Sequence, residues 1–481
     1  MAIDLTKPLA WTTANNDEQR MLRALQGNIL KGHGRASTLN IFFKIDPAKK
    51  HAMRAALREL ANFHAVSAYQ QLLETKRFQA TGTSGAPFVG IFLAKTGYVA
   101  LGVPAAQTPP DASFNGGLKA AAPGLADPPV ASWEAPFQAQ IDGMILIATD
   151  DQNERRRKRD AVVGLLTGTG GTIHTEQAGS QLFNAAKNGI EHFGYVDGRS
   201  QPLLLVEDMK SESEESGISQ WDPQSTLGVA LIAEPGSTDG VSFGSYFIFR
   251  KLEQNVRGFK RQEQLLADAL GLTGDAREIG GALAVGRFED GTPVTLSDEA
   301  RGLAVPNDFN YDADKGVRCP FHAHIRKTNP RGSGGAEPPP IEKKHLMARR
   351  GITYEDVPRT VHPTDIPESS STADFDANAA PLLPTGKVGL LFMAYNSVIA
   401  NQFEFTQKTW ANNPSFPIVP ATTPGIDPVM GQAAGAPVPH NWPKKWDDST
   451  AGTAPLPFQG FVTMKGGEYF FAPSLNFLKA L

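Results

Sequence analysis

Cysteine is almost missing from the 481 residues: Cys319 stands alone, so neither an internal disulfide nor a zinc site of several thiolates can form. Charge of one sign is lacking too. With 46 Lys and Arg against 50 Asp and Glu the formal net charge is −4, which gives neither nucleic acid nor an anionic membrane surface a field to follow. No apolar run approaches the ~20 residues of a bilayer-spanning helix. The opening MAIDLTKPLAWTTANNDEQR has no basic stretch followed by an apolar one, as a secretory signal would. The expectation is a cytoplasmic protein that acts on small diffusing substrates, with no nucleic-acid or membrane partner and with its oligomeric state open.

Low complexity is absent as well. The 47 glycines and 36 prolines stay below the roughly 25–30% of disordered chains, yet they promise long loops around a packed core. At ~150 residues per domain the length admits three domains or two large ones.

Strand and helix patterns alternate along the chain. Ser37–Ile45 is rich in β-branched and aromatic residues and reads as a strand, followed by a helical stretch over Ala48–Leu60. Further strand candidates are Ser67–Leu73, Phe88–Leu93 and Gly143–Thr149, the last leading through Asp150 and Asp151 into a helix over Glu154–Leu166, with a closing strand at Gly171–Gln177. This order resembles a split βαβ, or ferredoxin-like, unit. It recurs: Gly244–Arg250 reads as a strand, Val256–Leu270 as a helix stopped by Gly271, Val388–Tyr395 as a buried strand and Phe403–Ala411 as a helix. The predicted class is α+β, with two related ferredoxin-like domains over residues 1–220 and 221–481, antiparallel sheets and helices on one face. The stretches 103–136, 329–341, 366–386 and the Pro-rich 414–457 read as loops, and the acidic run Glu207–Glu215 as a solvated connection. The basic run Arg155–Arg159, flanked by Glu154 and Asp160, reads as a solvated helix face.

Three segments look too specialised for packing alone: Gly194-Tyr-Val-Asp-Gly-Arg-Ser-Gln-Pro202, Cys319-Pro-Phe-His-Ala-His-Ile-Arg-Lys-Thr-Asn-Pro-Arg331 and Ala348-Arg-Arg-Gly-Ile-Thr-Tyr354. In this order they resemble the GxxDG, HIRKxNPR and RRGxxY signatures of dye-decolourising peroxidases, and the larger members of that family most of all. Gln26-Gly-Asn-Ile-Leu30, Gly389–Phe392 and Gln402–Trp410 extend the resemblance over most of the chain. It implies two dimeric α+β barrel domains, one b-type haem per chain held mainly by the second, and reduction of hydrogen peroxide coupled to oxidation of dyes, phenols and other aromatic reductants through a ferryl intermediate. A haem carrier or iron-release protein with little turnover is the alternative.

The resemblance also assigns roles. His324 would be the proximal iron ligand, since a neutral imidazole binds iron through one nitrogen while its other nitrogen tunes the metal. His322, on the same face if the segment is a strand, leaves a His-x-His metal site conceivable. Asp197, otherwise a turn former, would be the distal acid–base group, with Arg349 beside it to stabilise charge on the departing oxygen and Arg350 as the rival arginine. Glu404 would take the outer proton of His324. Leu390 and Phe392 would line the peroxide pocket. Arg326 and Arg331 would pair with the haem propionates. Cys319 offers a competing thiolate ligand, and Trp410, Tyr354 and Tyr395 are candidates for an electron path.

Overall fold

In the computed structural model, which describes residues 3–302, 305–359, 361–366, 369–432 and 439–481, the apolar run Ser37–Ile45 forms strand β1, buried almost end to end because strands flank it on both sides. Helices α1 (Lys50–Phe63) and α2 (Ala68–Thr81) follow, then β2 (Phe88–Leu93), β3 (Gly143–Ala148), α3 (Gln152–Gly168) and β4 (Gly171–Ser180). Helix α3 starts where Asp151 accepts from the backbone N–H of Asn153 and Glu154. The second half repeats the pattern with β5 (Phe243–Gln254), α4 (Val256–Ala269), β6 (Ile352–Glu355), β7 (Val388–Asn396) and β8 (Val462–Ala472). Gly271, at φ +70°, ends the turn after α4, a conformation that suits glycine.

All eight strands lie in one antiparallel sheet in the order β6-β7-β5-β8-β2-β3-β1-β4, with two two-residue strands attached at its side. Each half has the ferredoxin-like order, and the halves meet where Phe471 of β8 pairs with Leu93 of β2. The side-chain amide of Gln26 closes that junction: it exchanges hydrogen bonds with the backbone of Ile91 and donates to the carbonyl of Pro473, each at 2.8 Å. At the other end of the order the sheet curls on itself, so that Thr353 of β6 donates through its hydroxyl to the carbonyl of Ser180 in β4.

Several expectations need correction. Ser67–Leu73 is no strand: the Ser67 hydroxyl accepts from Gln70 N–H at 3.2 Å and caps α2, which runs on to a left-handed Gly82. Cap and stop signals outweigh a short apolar run. Phe403–Ala411 is one α-helical turn, Phe403–Phe405, followed by π-helical turns over Thr406–Ala411. The acidic run forms a helix, Val206–Glu215, whose Glu212 is buried against Arg199. Stretch 103–136 holds short helices such as Ala112–Gly116, and the Pro-rich stretch holds a hairpin pairing His440–Pro443 with Thr453–Leu456. Residues 367–368 and 433–438 of the expected loops lie outside the described residues. In α3, Arg157 pairs with Glu154 and Arg159 with Glu176, as a solvated basic face requires.

Candidate active site

A cavity of about 270 Å³ opens between the Gly194–Pro202 segment of the first half and strands β5 and β7 of the second. Its walls include Asp197, His324, Arg331, Arg349, Leu390 and Phe392, so six of the eight residues singled out for the site converge. Arg326 and Glu404 do not line it.

His324 opens the short helix α5 (His324–Thr328), which begins after Ala323 and so sets the ring at a helix start rather than on a strand. Its Nδ1 lies 2.8 Å from Oδ2 of Asp427, whose side chain is fully buried. The other oxygen of Asp427 accepts from Val429 N–H and Met430 N–H at 2.8 and 2.9 Å, and these bonds with His324 hold the carboxyl low although burial alone would raise it. A carboxylate at Nδ1 favours the tautomer that carries its proton there and leaves the Nε2 lone pair available. Burial disfavours charge on the His324 ring, Asp427 more than reverses that, and Arg349 and Asp197 act on the ring with opposite signs. Both groups therefore lie within electrostatic reach of the imidazole.

His322 packs instead against Trp442 and His440, with centroids 4.4 and 4.7 Å away. The two imidazoles do not share a site, and among the described residues no group of three or more His, Cys, Asp or Glu is arranged to hold a metal ion.

Asp197 stands on a hairpin. Its N–H donates to Gly189 at 3.0 Å, Ile190 and Val196 form a bridge, and Gly198 follows at φ +78°, where a side chain would be strained. The Asp197 carboxylate has no hydrogen-bond or ion-pair partner among the described residues. Arg349 belongs to the two-residue strand Ala348–Arg349 beside β7. Its N–H donates to Gln201 Oε1 and its Nη2 to the carbonyl of Arg199, both at 3.0 Å, which ties it to the Asp197 segment. Arg350 spends Nε, Nη1 and Nη2 on the carbonyls of Asn28, Arg349 and Ile29. Arg349 keeps Nε and Nη1 without partners among the described residues, so it is the guanidinium with donors to spare.

Two further guanidiniums line the cavity with no carboxylate partner among the described residues. Arg331 donates to the carbonyls of Asn307 and Phe309 and to the side chains of Ser200 and Asn307. Arg287 donates to the carbonyls of Gly291 and Pro306. Burial pushes Arg331 down to about 10 and Arg287 down to about 9. Uncompensated buried cations of this kind call for an anion. Arg287 was not legible in the sequence, where it sits in an unremarked Gly-Arg-Phe.

Two of the expected contacts are absent. Arg326 is buried outside the cavity, where it donates to Asp314 Oδ2 at 3.1 Å and to the carbonyls of Cys319 and Asp314, so it cannot serve a propionate. The acid on His324 is Asp427, not Glu404, which accepts from Lys408 Nζ at 2.8 Å and Tyr469 OH at 3.1 Å. Asp427 lies in Gly425-Ile-Asp-Pro-Val429, within the stretch read as plain loop. Its Asp-Pro pair, an Asx-turn signal, was the available clue. Cys319 is buried away from the cavity, with its thiol pushed up to about 12 by burial, which removes the thiolate ligand. Trp410, Tyr354 and Tyr395 are all buried, so none can itself meet a bulky reductant at the surface.

The imidazole is backed by a buried carboxylate and shares its cavity with Asp197 and Arg349, whose remaining polar atoms have no partner among the described residues, on a sheet of two ferredoxin-like halves. A family profile described as the DyP dimeric alpha+beta barrel domain matches residues 24–179. The chain is 47% identical over 488 residues to the multifunctional dye peroxidase DyP2 of Amycolatopsis sp. (strain ATCC 39116 / 75iv2), covering 100% of both. It is 32% identical to Peroxidase 2 of Mycetinis scorodonius, over 95% of this chain and 86% of that one. Among solved structures, DyP2 from Amycolatopsis superposes with a TM-score of 0.92 at 46% identity, covering 100% of both chains. A DyP-type peroxidase of Anabaena sp. gives 0.87 at 36%, covering 99% and 98%. The chain belongs to the dye-decolourising peroxidase family and is a peroxidase that oxidises dyes.

Proposed function

We propose that the protein binds one haem b in the cavity, with Nε2 of His324 on the iron, and reduces hydrogen peroxide at the expense of phenolic and other aromatic reductants. The observation that carries this reading is the His324–Asp427 pair in the wall of the cavity that Asp197 and Arg349 also line. The residues fit the group: the imidazole has one nitrogen anchored and the other without a partner among the described residues, and Arg331 and Arg287 offer cations for propionates. When bound, the haem supplies the iron centre through which reducing equivalents reach peroxide. Asp197 takes the proton from the nearer peroxide oxygen and returns it to the farther one. Arg349 stabilises the charge that grows on that departing oxygen, beside the apolar lining that Leu390 and Phe392 give the cavity. Asp427 holds the His324 ring in orientation and raises its basicity. In this reading residues 1–220 supply Asp197 and residues 221–481 the haem ligands.

A relative 29% identical to this chain has been solved in complex with 2,6-dimethoxyphenol, which supports phenols as reductants. A dye too large for the cavity would give up its electrons at the surface. The test is a haem titration followed by peroxide consumption. The wild type should develop a Soret band at one equivalent and His324→Ala should not. Asp197→Asn and Arg349→Leu should keep the band and react with peroxide about 10²- to 10⁴-fold more slowly. Wild-type rates in both variants reject the acid–base assignment, and haem binding without peroxide consumption makes the protein a carrier.

A further inference from the structure

The hairpin that carries Asp197 is folded around a second carboxyl group. The two oxygens of Glu191 accept from the N–H of Phe193 at 2.8 Å and of Tyr195 at 3.1 Å. Its own backbone closes the same turn, with Glu191 N–H bonded to the carbonyl of Tyr195 and Gly194 N–H to that of Glu191. The Oε2 atom also accepts from the side-chain amide of Gln254, at the end of β5 in the other half of the molecule. Gln254 is buried, and its Oε1 has no partner. Glu191 and Gln254 line the same cavity as Asp197. One carboxyl thus shapes the hairpin tip and fastens it to the sheet that carries the opposite wall.

We propose that Glu191 is a positioning residue for Asp197: its carboxylate, clasped by two backbone N–H groups and by Gln254, holds the hairpin so that the Asp197 carboxylate stands over the cavity. This rests on the role given to Asp197 above. The clasp asks both oxygens to accept only, which an ionised carboxylate does, whereas an amide replaces one oxygen by an NH2 donor and a protonated acid turns one oxygen into an O–H donor. The clasp is also sensitive to acid. Burial pushes Glu191 up to about 7, with the Asp197 charge acting in the same direction and the three hydrogen bonds against it. Asp197 is the charged group facing it. His192 turns away to the carbonyl of Tyr354, while Glu289 lies against Gly194 and Lys260 and Glu263 against Tyr195. A carboxyl raised in this way takes up its proton at higher pH than an exposed one, and the new O–H then faces the N–H donors and weakens the clasp.

The experiment compares wild type, Glu191→Gln and Gln254→Met as haem-loaded proteins, with amide hydrogen exchange and peroxide kinetics. In Glu191→Gln the Phe193 and Tyr195 amides should exchange about tenfold faster, relative to the rest of the sheet, and this should hold without haem as well. The Soret band should stay, and kcat/KM for peroxide should fall about 10- to 100-fold, the scale of a misplaced catalytic group. The wild type should lose protection at these two amides between pH 8 and 6, and Glu191→Gln should not. Gln254→Met, which leaves the turn's own bonds in place, should move the same readouts in the same direction by less. Faster exchange with an unchanged peroxide rate would make Glu191 merely structural and overturn the proposal, as would unchanged exchange. If Asp197→Asn itself ran at wild-type rate, the underlying role would fall; if Asp197→Asn were slow and Glu191→Gln normal, the positioning role alone would fall.

Discussion

At the scale of single residues the decisive contrast is between two acids. Asp427 touches the imidazole and Glu404 does not, so Asp427→Asn should loosen haem by about 10- to 100-fold and raise the reduction potential of the bound iron, while Glu404→Gln should do neither. Haem-transfer kinetics and a spectroelectrochemical titration check this. The residues that the sequence made legible, His324 and Asp197, lie in local motifs whose neighbours carry the information. Asp427 stands 103 positions from His324, and nothing in the intervening chain announces the pairing. The sequence favours Arg349 over its rival Arg350, and the physical contrast between them comes from afar: Arg350 meets the carbonyls of Asn28 and Ile29, more than 300 residues away. Those two carbonyls belong to the Gln26-Gly-Asn-Ile-Leu30 segment, which thus holds the arginine next to Arg349.

At the scale of elements, long periodic stretches announced themselves, as in β1, α1, α3, β5, α4 and β7, since their patterns span several turns or a full strand. Short elements did not. The two-residue strand that holds Arg349 has too few residues for any period, and it exists because β7 offers Ala394 as its partner. The π-helical turns at Thr406–Ala411 have no sequence signature either. They bring the Gln407 amide to the carbonyl of Met430, at 3.1 Å, and so brace the turn that presents Asp427. Local signals can be tested directly. Asp151→Ala removes the acceptor for two N–H groups at the start of α3 and should lower stability, read as a lower denaturant midpoint with peroxide kinetics unchanged.

At the scale of the whole molecule, stability should depend on pH through Glu234. Its carboxyl is buried, accepts from Ser474 N–H at the cap of the C-terminal helix Leu475–Ala480, and has an unpartnered Oε1. Burial pushes it from 4.5 up to about 8, with Asp239 acting the same way and Ser474 opposing. The folded state thus keeps a proton that the unfolded chain releases above pH 4.5. This contribution is complete below 4.5 and declines as pH rises towards 8. Calorimetry should show the melting temperature of wild type falling relative to Glu234→Gln between pH 5 and 8.5. A constant difference would remove Glu234 from the account.

The seam at Phe471 and Leu93, bridged by Gln26, also bears on how such a protein is made. Around that single pair the edge of β2 is already occupied from its own half, with Val66 N–H donating to the carbonyl of Val89 at 3.1 Å and Gln26 bonded to Ile91, so little of the ladder stands open to a foreign strand. The covalent tether keeps each rim at high effective concentration next to its own complement. A join of one residue pair, sealed by a side chain and a loop, thus holds the halves together without leaving a long ladder for strangers to claim.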